Sequence, residues 1–335
     1  MSGHKHYVPI LKTKAGERWA IDHTRADRKD SLTPLFEIHR HRTNNDVEHA
    51  GEMCDSLASI WGTARPLFLD TCWLHPASGD PVVIEATLAH AREIGLRAIP
   101  VVRLGYDDAS LDTIADAVAA DGRGWMLRIV PTEVNAHDRI GEVVAHLGVA
   151  HNSVDLLLDY KTIAMHLPAH VAALPNVMAW RTFSAASAAF PRSLTHLQHG
   201  MWHQIDRTDW QSWQMGIASG DLQRVPAYAD YTIRDPGPTA DFGDPSVNLR
   251  YTKEAYWLAR VERKFKEGYA GDMHTICASL IARPEFNGAQ FSAGDAEIAD
   301  AANPALDRPG APQQWLQWGM NHHIAVTVQQ VSALP

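Results

Sequence analysis

Ala98-Ile-Pro-Val-Val-Arg-Leu104, a polar break, the spaced apolar set Leu111, Ile114, Ala115, Val118 and Ala119, and then Trp125-Met-Leu-Arg-Ile-Val130 form the stretch that decides the fold. The first and last pieces are short apolar runs of strand length. The middle piece places its apolar residues at i, i+3, i+4, i+7 and i+8, which is one face of a helix. A strand, a helix long enough to carry the chain back, and a second strand make a parallel crossover unit. The pattern continues outward. Ile140, Val143, Val144 and Leu147 give the next helix and Val154–Tyr160 (VDLLLDY) the next strand. Upstream lie Pro66–Asp70 (PLFLD), Thr33–Ile38 (TPLFEI) and Tyr7–Leu11 (YVPIL), separated by helical patterns at Val47, Cys54, Leu57, Trp61 and at Val82–Ile94. The last of these opens with Asp80-Pro81, a cap followed by proline at the first helical position, and Gly95 is placed to end it. Downstream, Ile163, Leu167, Val171 and Leu174 precede Val177–Phe183 (VMAWRTF), and Tyr228–Ile233 (YADYTI) is the eighth run. Eight strands, most followed by a helical pattern, predict an α/β fold, a (β/α)8 TIM-like barrel. A doubly wound open sheet would carry a glycine-rich phosphate turn after its first strand, and Lys12–Arg18 holds only Gly16.

Composition bounds the alternatives. The chain has 335 residues, 45% hydrophobic and 21% charged, which supports a large folded core and excludes disorder. A net charge of −9 lacks the basic field of a non-specific nucleic-acid or membrane binder. Three separated cysteines without a CxxC pair argue against a zinc knuckle or a disulfide framework. No run approaches the roughly 20 apolar residues that span a bilayer, and Met1–Ile10 has no signal core, so the expectation is a soluble cytoplasmic protein.

The interval from Arg181 to Asp230 is long and carries Trp202, Trp210 and Trp213, an excursion expected to roof the barrel. Arg234–Ser246 (RDPGPTADFGDPS) is rich in proline and glycine. The expected organisation is a barrel over 1–235, a connector over 236–250 and a C-terminal α+β appendage over 251–335, packed on the barrel.

In such a barrel the working groups sit at the carboxyl ends of the strands. Those ends offer Lys12, Glu37, Asp70, Arg103, Arg128, Asp159, Arg181 and Asp230, one ionisable group per strand. Alternation points many of them inward, as in Ile99, Val101, Arg103. One reading is an anion-binding pocket in which Lys12, Arg103, Arg128 and Arg181 hold a phosphate while Glu37, Asp70 and Asp159 bind a metal or move protons. The other is a plug of mutually paired charges with no substrate. His39 and His41 after Glu37 form an HxH pair at strand spacing, which fits a solvated loop better than a chelate. No GxSxG, HExxH, Walker or GxGxxG arrangement occurs.

Several segments together resemble one family. The opening Tyr7, Pro9, Lys12, Lys14, Gly16, Glu17, Pro34 and Glu37, then Ala229–Thr232 (ADYT), Leu249–Thr252 (LRYT), Phe291–Asp295 (FSAGD) and Gly319–His323 (GMNHH) are similar, in order, to blocks of the Beta protein family. Ala229 stands where that family has glycine, Ala293 where tryptophan is common, and Ala259-Arg260-Val261 where Arg-Gly follows the RYT block. The resemblance implies a cytoplasmic component of phage-defence or toxin-neutralising modules, in which the founding member acts as an antidote to a partner protein. It assigns no catalytic residue. Asp295 reads as an N-cap before Ala296–Ala302, and Asn321 as a cap of the helix beginning at His322. Asp230, Tyr231, Asn321, His322 and His323 are candidate ligand contacts, and Trp315 and Trp318 are read as core.

Two functions follow. In one, the chain binds a partner protein, the barrel is a scaffold, and the tryptophan-rich excursion and the appendage form the contact surface; the barrel mouth is then closed and charge-paired. In the other it is an enzyme or sensor for a phosphorylated small molecule or nucleotide, such as a metal-assisted phosphodiester hydrolase, and the mouth is open.

Overall fold

The computed structural model describes residues 3–40, 45–74, 78–238, 246–264 and 270–334. Its strands are β1 (Tyr7–Lys12), β2 (Leu35–Glu37), β3 (Leu67–Asp70), β4 (Ala98–Val102), β5 (Trp125–Ile129), β6 (Val154–Asp159), β7 (Thr182–Ser187), β8 (Trp202–Asp206), β9 (Ala227–Asp230), β10 (Ser246–Thr252) and β11 (Tyr256–Lys264). The helices are α1 (Ala15–Asp22), α2 (Ala26–Lys29), α3 (Asp46–Trp61), α4 (Pro81–Glu93), α5 (Asp108–Asp121), α6 (His137–His146), α7 (Leu167–Ala173), α8 (Thr208–Ala218), α9 (Ala270–Ile281), α10 (Ala293–Ala301) and α11 (Pro312–Ser332).

Strands β1 to β7 and β9 pair in parallel and close into a barrel, as the eightfold repeat predicts. Local chemistry sets the repeat. Asp80 accepts from the Val82 and Val83 amides and Pro81 opens α4, while Asp107 caps α5 and Gly122, with φ of +63°, ends it in the left-handed region. Inward side chains Val8, Ile10, Leu35, Phe68, Ile99, Val101, Met126, Leu157, Ala186 and Ala229 fill the barrel, and the outward set packs against the helices.

Several expectations change. The seventh strand is Thr182–Ser187, not Val177–Phe183. Positive φ at Asn176 and the bond from Trp180 Nε1 to the Pro175 carbonyl hold the apolar residues before it in a turn, and the small Ser184-Ala-Ala-Ser187 run forms the strand. That run carries little hydrophobic signal, so periodicity places the strand too early, at Val177 rather than Thr182. The excursion does not roof the barrel: β8 joins an antiparallel sheet of order β10-β11-β8, and α8 lies on the barrel wall. Trp210 and Trp213 are buried against each other and Tyr228, and Trp202 bonds through Nε1 to Ser279 Oγ. The divisions at 235 and 251 are therefore not spatial boundaries, since the appended sheet takes β8 from within the first segment and β10 already begins at Ser246. Within the connector, 239–245 lie outside the described residues, as does His41 of the HxH pair.

The appendage centres on α11, which is buried on every side from Gln317 to Val328 between α1, α10 and β10. Its polar block Asn321-His322-His323 is mid-helix rather than a helix start. Ser292, not Asp295, caps α10; its Oγ accepts from the Asp295 amide at 3.1 Å and donates to Asp295 Oδ2 at 2.6 Å.

Candidate functional site at the barrel mouth

Because inward positions alternate, the residues two beyond Ile10, Leu35, Phe68, Val101, Met126, Leu157 and Ala229 also face the axis at its carboxyl end. These are Lys12, Glu37, Asp70, Arg103, Arg128, Asp159 and Tyr231. The sequence reading thus brings six of its eight strand-end ions together.

Arg128 is the hub. It reaches Glu37 Oε1 at 2.9 Å, Asp70 Oδ2 at 2.7 Å and Asp159 Oδ2 at 2.8 Å, and donates to the Tyr231 hydroxyl at 2.6 Å. The other carboxylate oxygens are also engaged. Glu37 Oε2 accepts from Trp73 Nε1 at 2.7 Å, Asp70 Oδ1 from the Cys72 amide at 2.9 Å, and Asp159 Oδ1 from the Lys161 amide at 3.0 Å. Tyr231 in turn donates to Asp159 Oδ2 at 2.7 Å, and Arg103 to Asp70 Oδ2 at 2.9 Å. Lys12 lies 5.0 Å from the Trp73 ring centre and donates to the Gly237 carbonyl. Glu37, Asp70 and Asp159 stand against Arg103, Arg128 and Lys12, so formal charge balances.

Burial makes this pairing obligatory. The side chains of Arg128, Asp70 and Asp159 are at most 1% exposed. Burial alone would raise the Asp70 carboxyl, but the Arg103 and Arg128 guanidiniums overcome it and hold the group at about 2. Burial drives the Tyr231 hydroxyl well above its ordinary value, against the pull of Arg128, so it remains a donor to Asp159. Glu37, Asp70 and Cys72 offer ligand atoms within 4.8 Å of one another. Two of the three already hold Arg128, and burial and Asp70 push the Cys72 thiol far up, so a cation there would have to displace the guanidinium.

The remaining candidates lie elsewhere. Arg181 precedes β7 and pairs with Asp155 at the start of β6, Nη2 to Oδ2 at 2.6 Å, at the opposite end of the barrel. Its expected place in the mouth followed from the misplaced strand. Asp230 faces outward, accepting from the Tyr7 hydroxyl at 2.5 Å and contacting His323 Nε2 at 2.8 Å. His322 contacts Asp295 Oδ2 and the Thr252 carbonyl, each at 2.8 Å. Asn321 accepts from the Gly294 amide and donates to the Ala20 carbonyl. All three α11 residues are buried; Asn321 and His323 join the appendage to the barrel through Ala20 and Asp230, while His322 ties α11 to β10 and α10 within the appendage.

These contacts unite the resembling blocks, joining Tyr251 and Thr252, Asp295, and Asn321 to His323. A family profile described as Beta protein matches residues 7–329. The chain belongs to the Beta protein family. Among solved structures, this chain is similar to a 3-hexulose-6-phosphate synthase at 18% identity, covering 69% of this chain and 93% of that one with a TM-score of 0.38. It is similar to a GH138 enzyme targeting pectin rhamnogalacturonan II at 10% identity, covering 77% and 37% with a TM-score of 0.40. A third is the spore cortex-lytic enzyme SleL of Bacillus megaterium QM B1551, at 9% identity, 83% and 68% coverage and a TM-score of 0.33. No curated protein matches the chain. No helix among the described residues is long and apolar enough to cross a membrane.

Sequence reasoning missed Trp73, which both orients Glu37 and faces Lys12. It also missed a second group of cations at the rim, Lys14, Arg192, Arg234 and Arg250. Lys14 was visible in the Lys-x-Lys turn and Arg250 in the LRYT block, but only the fold brings them together.

Proposed function

We propose that this Beta protein family member is a component of an anti-phage defence or toxin-neutralising module and acts by binding a partner protein, with the barrel as a rigid scaffold. The observation supporting this reading is that both oxygens of Glu37, Asp70 and Asp159 are engaged within the fold. A general acid or base needs a carboxylate that can reach a substrate, and a catalytic metal needs open ligand atoms. The barrel axis supplies neither, which counts against hydrolysis of a phosphodiester there. An interaction through Trp210 and Trp213 is not part of the proposal, because both are core residues. A net charge of −9 suits a cationic partner surface.

The test is co-expression with the products of neighbouring genes, native mass spectrometry of the purified complex, and a growth assay for protection. The expected result is a stoichiometric complex that weakens with salt, together with protection that survives Glu37→Gln in a folded variant. Loss of protection in that variant while the complex persists would overturn the scaffold reading in favour of chemistry at the mouth.

A further inference from the structure

Beside the plug, where the carboxyl ends of β1, β7 and β9 meet β10 and the start of α11, lies a cavity of about 350 Å³. We propose that it is a binding site for a phosphate-bearing small molecule, of pyrophosphate to nucleotide size, held by Lys14, Arg192, Arg234 and Arg250. None of these four was among the expected anion contacts, and the site is separate from the partner-binding reading.

Among the described residues the charge around the cavity is unbalanced, in contrast to the plug. Its lining carries those four cations against two carboxylates, Glu17 and Asp235. Glu17 Oε1 lies 3.7 Å from Arg234 Nε, and Asp235 Oδ1 accepts from the Gly237 amide. Arg250 donates to the Ile233 carbonyl at 2.7 Å and to Asn248 Oδ1 at 3.4 Å, both neutral acceptors, and stacks 4.6 Å from the Phe190 ring centre. Arg192 donates to the Pro238 carbonyl. Among the described residues these neutral acceptors fix the Arg192 and Arg250 guanidiniums without neutralising them.

Two further features are independent of that count. Lys14 is the N-cap of α1 and offers its first turn no side-chain acceptor, while Gly16 in that turn lines the cavity. The positive end of α1 and its leading amides therefore add to the same field. Burial, then repulsion by Arg234, draws Lys14 down to about 8 and Arg250 down to about 9. An anion would relieve that repulsion in both. The volume admits a small ligand rather than a protein segment, and planar guanidiniums suit phosphate oxygens.

The experiment is calorimetric titration of the full chain with inorganic phosphate, pyrophosphate and ADP at two salt concentrations. The expected result is saturable binding of pyrophosphate or ADP that weakens with salt and falls at least tenfold in Lys14→Gln/Arg192→Gln. Both side chains are at least partly exposed, and circular dichroism verifies that the variant is folded. Arg263→Gln, which removes a cation paired with Asp272 away from the cavity, is expected to bind as the parent does. ADP tighter than pyrophosphate identifies a nucleotide, and equal affinity identifies recognition of the phosphates alone. Absence of saturable binding by all three probes, an unchanged affinity in the double variant, or an equal loss in Arg263→Gln would overturn the proposal.

Discussion

Arg128 Nη1 lies 2.7 Å from Asp70 Oδ2, and the two side chains are 1% and 0% exposed. One guanidinium from β5 is thereby tied to the end of β3, and through Glu37 and Asp159 to β2 and β6 as well. The top of the barrel is cross-linked by charge where its lower layers are packed by apolar side chains. Such a centre gives less net stability than its contacts suggest, because desolvation offsets much of the attraction, but it tolerates the loss of one partner poorly.

Arg128→Gln leaves three buried carboxylates facing one another with a single remaining guanidinium nearby. The expected loss is about 3–5 kcal/mol, the range for breaking a buried pair from one side. Urea unfolding followed by tryptophan fluorescence checks it, and a change below about 1 kcal/mol would show that water reaches the mouth.

Two buried groups, His323 and Asp70, act with the same sign in the acid response. Burial holds the His323 imidazole below its ordinary value despite the pull of Asp230, so its contribution is present above about pH 6.5 and is lost as pH falls below that. Asp70, held at about 2, contributes stability that is present above about pH 4 and lost as pH falls toward 2. Unfolding free energy measured against pH is expected to decline gently below 6.5 and steeply below 4. Asp70→Asn should reduce the lower arm, which Asp230 and Asp295 share. His323→Gln should reduce the upper, to which His6 and His39, drawn down to about 4 by burial, also contribute and which Asp209, pushed up to about 6 by burial, opposes.

The parts of this design that were legible in the sequence are those written in periodicity. Val82–Ile94 with its Asp80-Pro81 start, and the alternation Ile99, Val101, Arg103, specify a helix and an inward charge with no knowledge of the rest. What was not legible depends on partners distant in sequence. Ser184-Ala-Ala-Ser187 becomes a strand because β6 and β9 flank it, and Asn321-His322-His323 lies mid-helix because α11 is wrapped on all sides and has no polar stripe to mark its phase. The plug and the site could not be distinguished from residue types either, since the same ions serve both. The distances around Arg128 show which of these ions pair with one another.

Gly294 and Gly319 mark the closest approaches in the appendage. A Cβ on Gly294 would lie 2.1 Å from the Trp318 carbonyl oxygen, and one on Gly319 would lie 2.6 Å from that of Arg250. Both obstacles are backbone, so the helix or strand itself must move. Gly294→Ala and Gly319→Ala are each expected to cost on the order of 1–3 kcal/mol or more, the range for overpacking. Gly141, with nothing near its Cβ position, is the matched control, and Gly141→Ala in the interior of α6 should stabilise by about 0.5–1 kcal/mol. Thermal unfolding of the three variants tests the contrast.

His323 joins the appendage to the barrel through a carboxylate shared with β1. Its Nε2 lies 2.8 Å from Asp230 Oδ2, whose other oxygen takes the Tyr7 hydroxyl, so one carboxylate links α11, β9 and β1. Its Nδ1 lies 3.0 Å from Thr252 Oγ1, which adds β10. His323→Ala removes the shared partner and leaves Asp230 buried beside a void. Hydrogen exchange is expected to accelerate first in β1, β9, β10 and α11, while β4 and β5 on the far side of the barrel remain protected. Uniform acceleration would mean instead that barrel and appendage unfold as one unit and that the join is no weaker than the parts it connects.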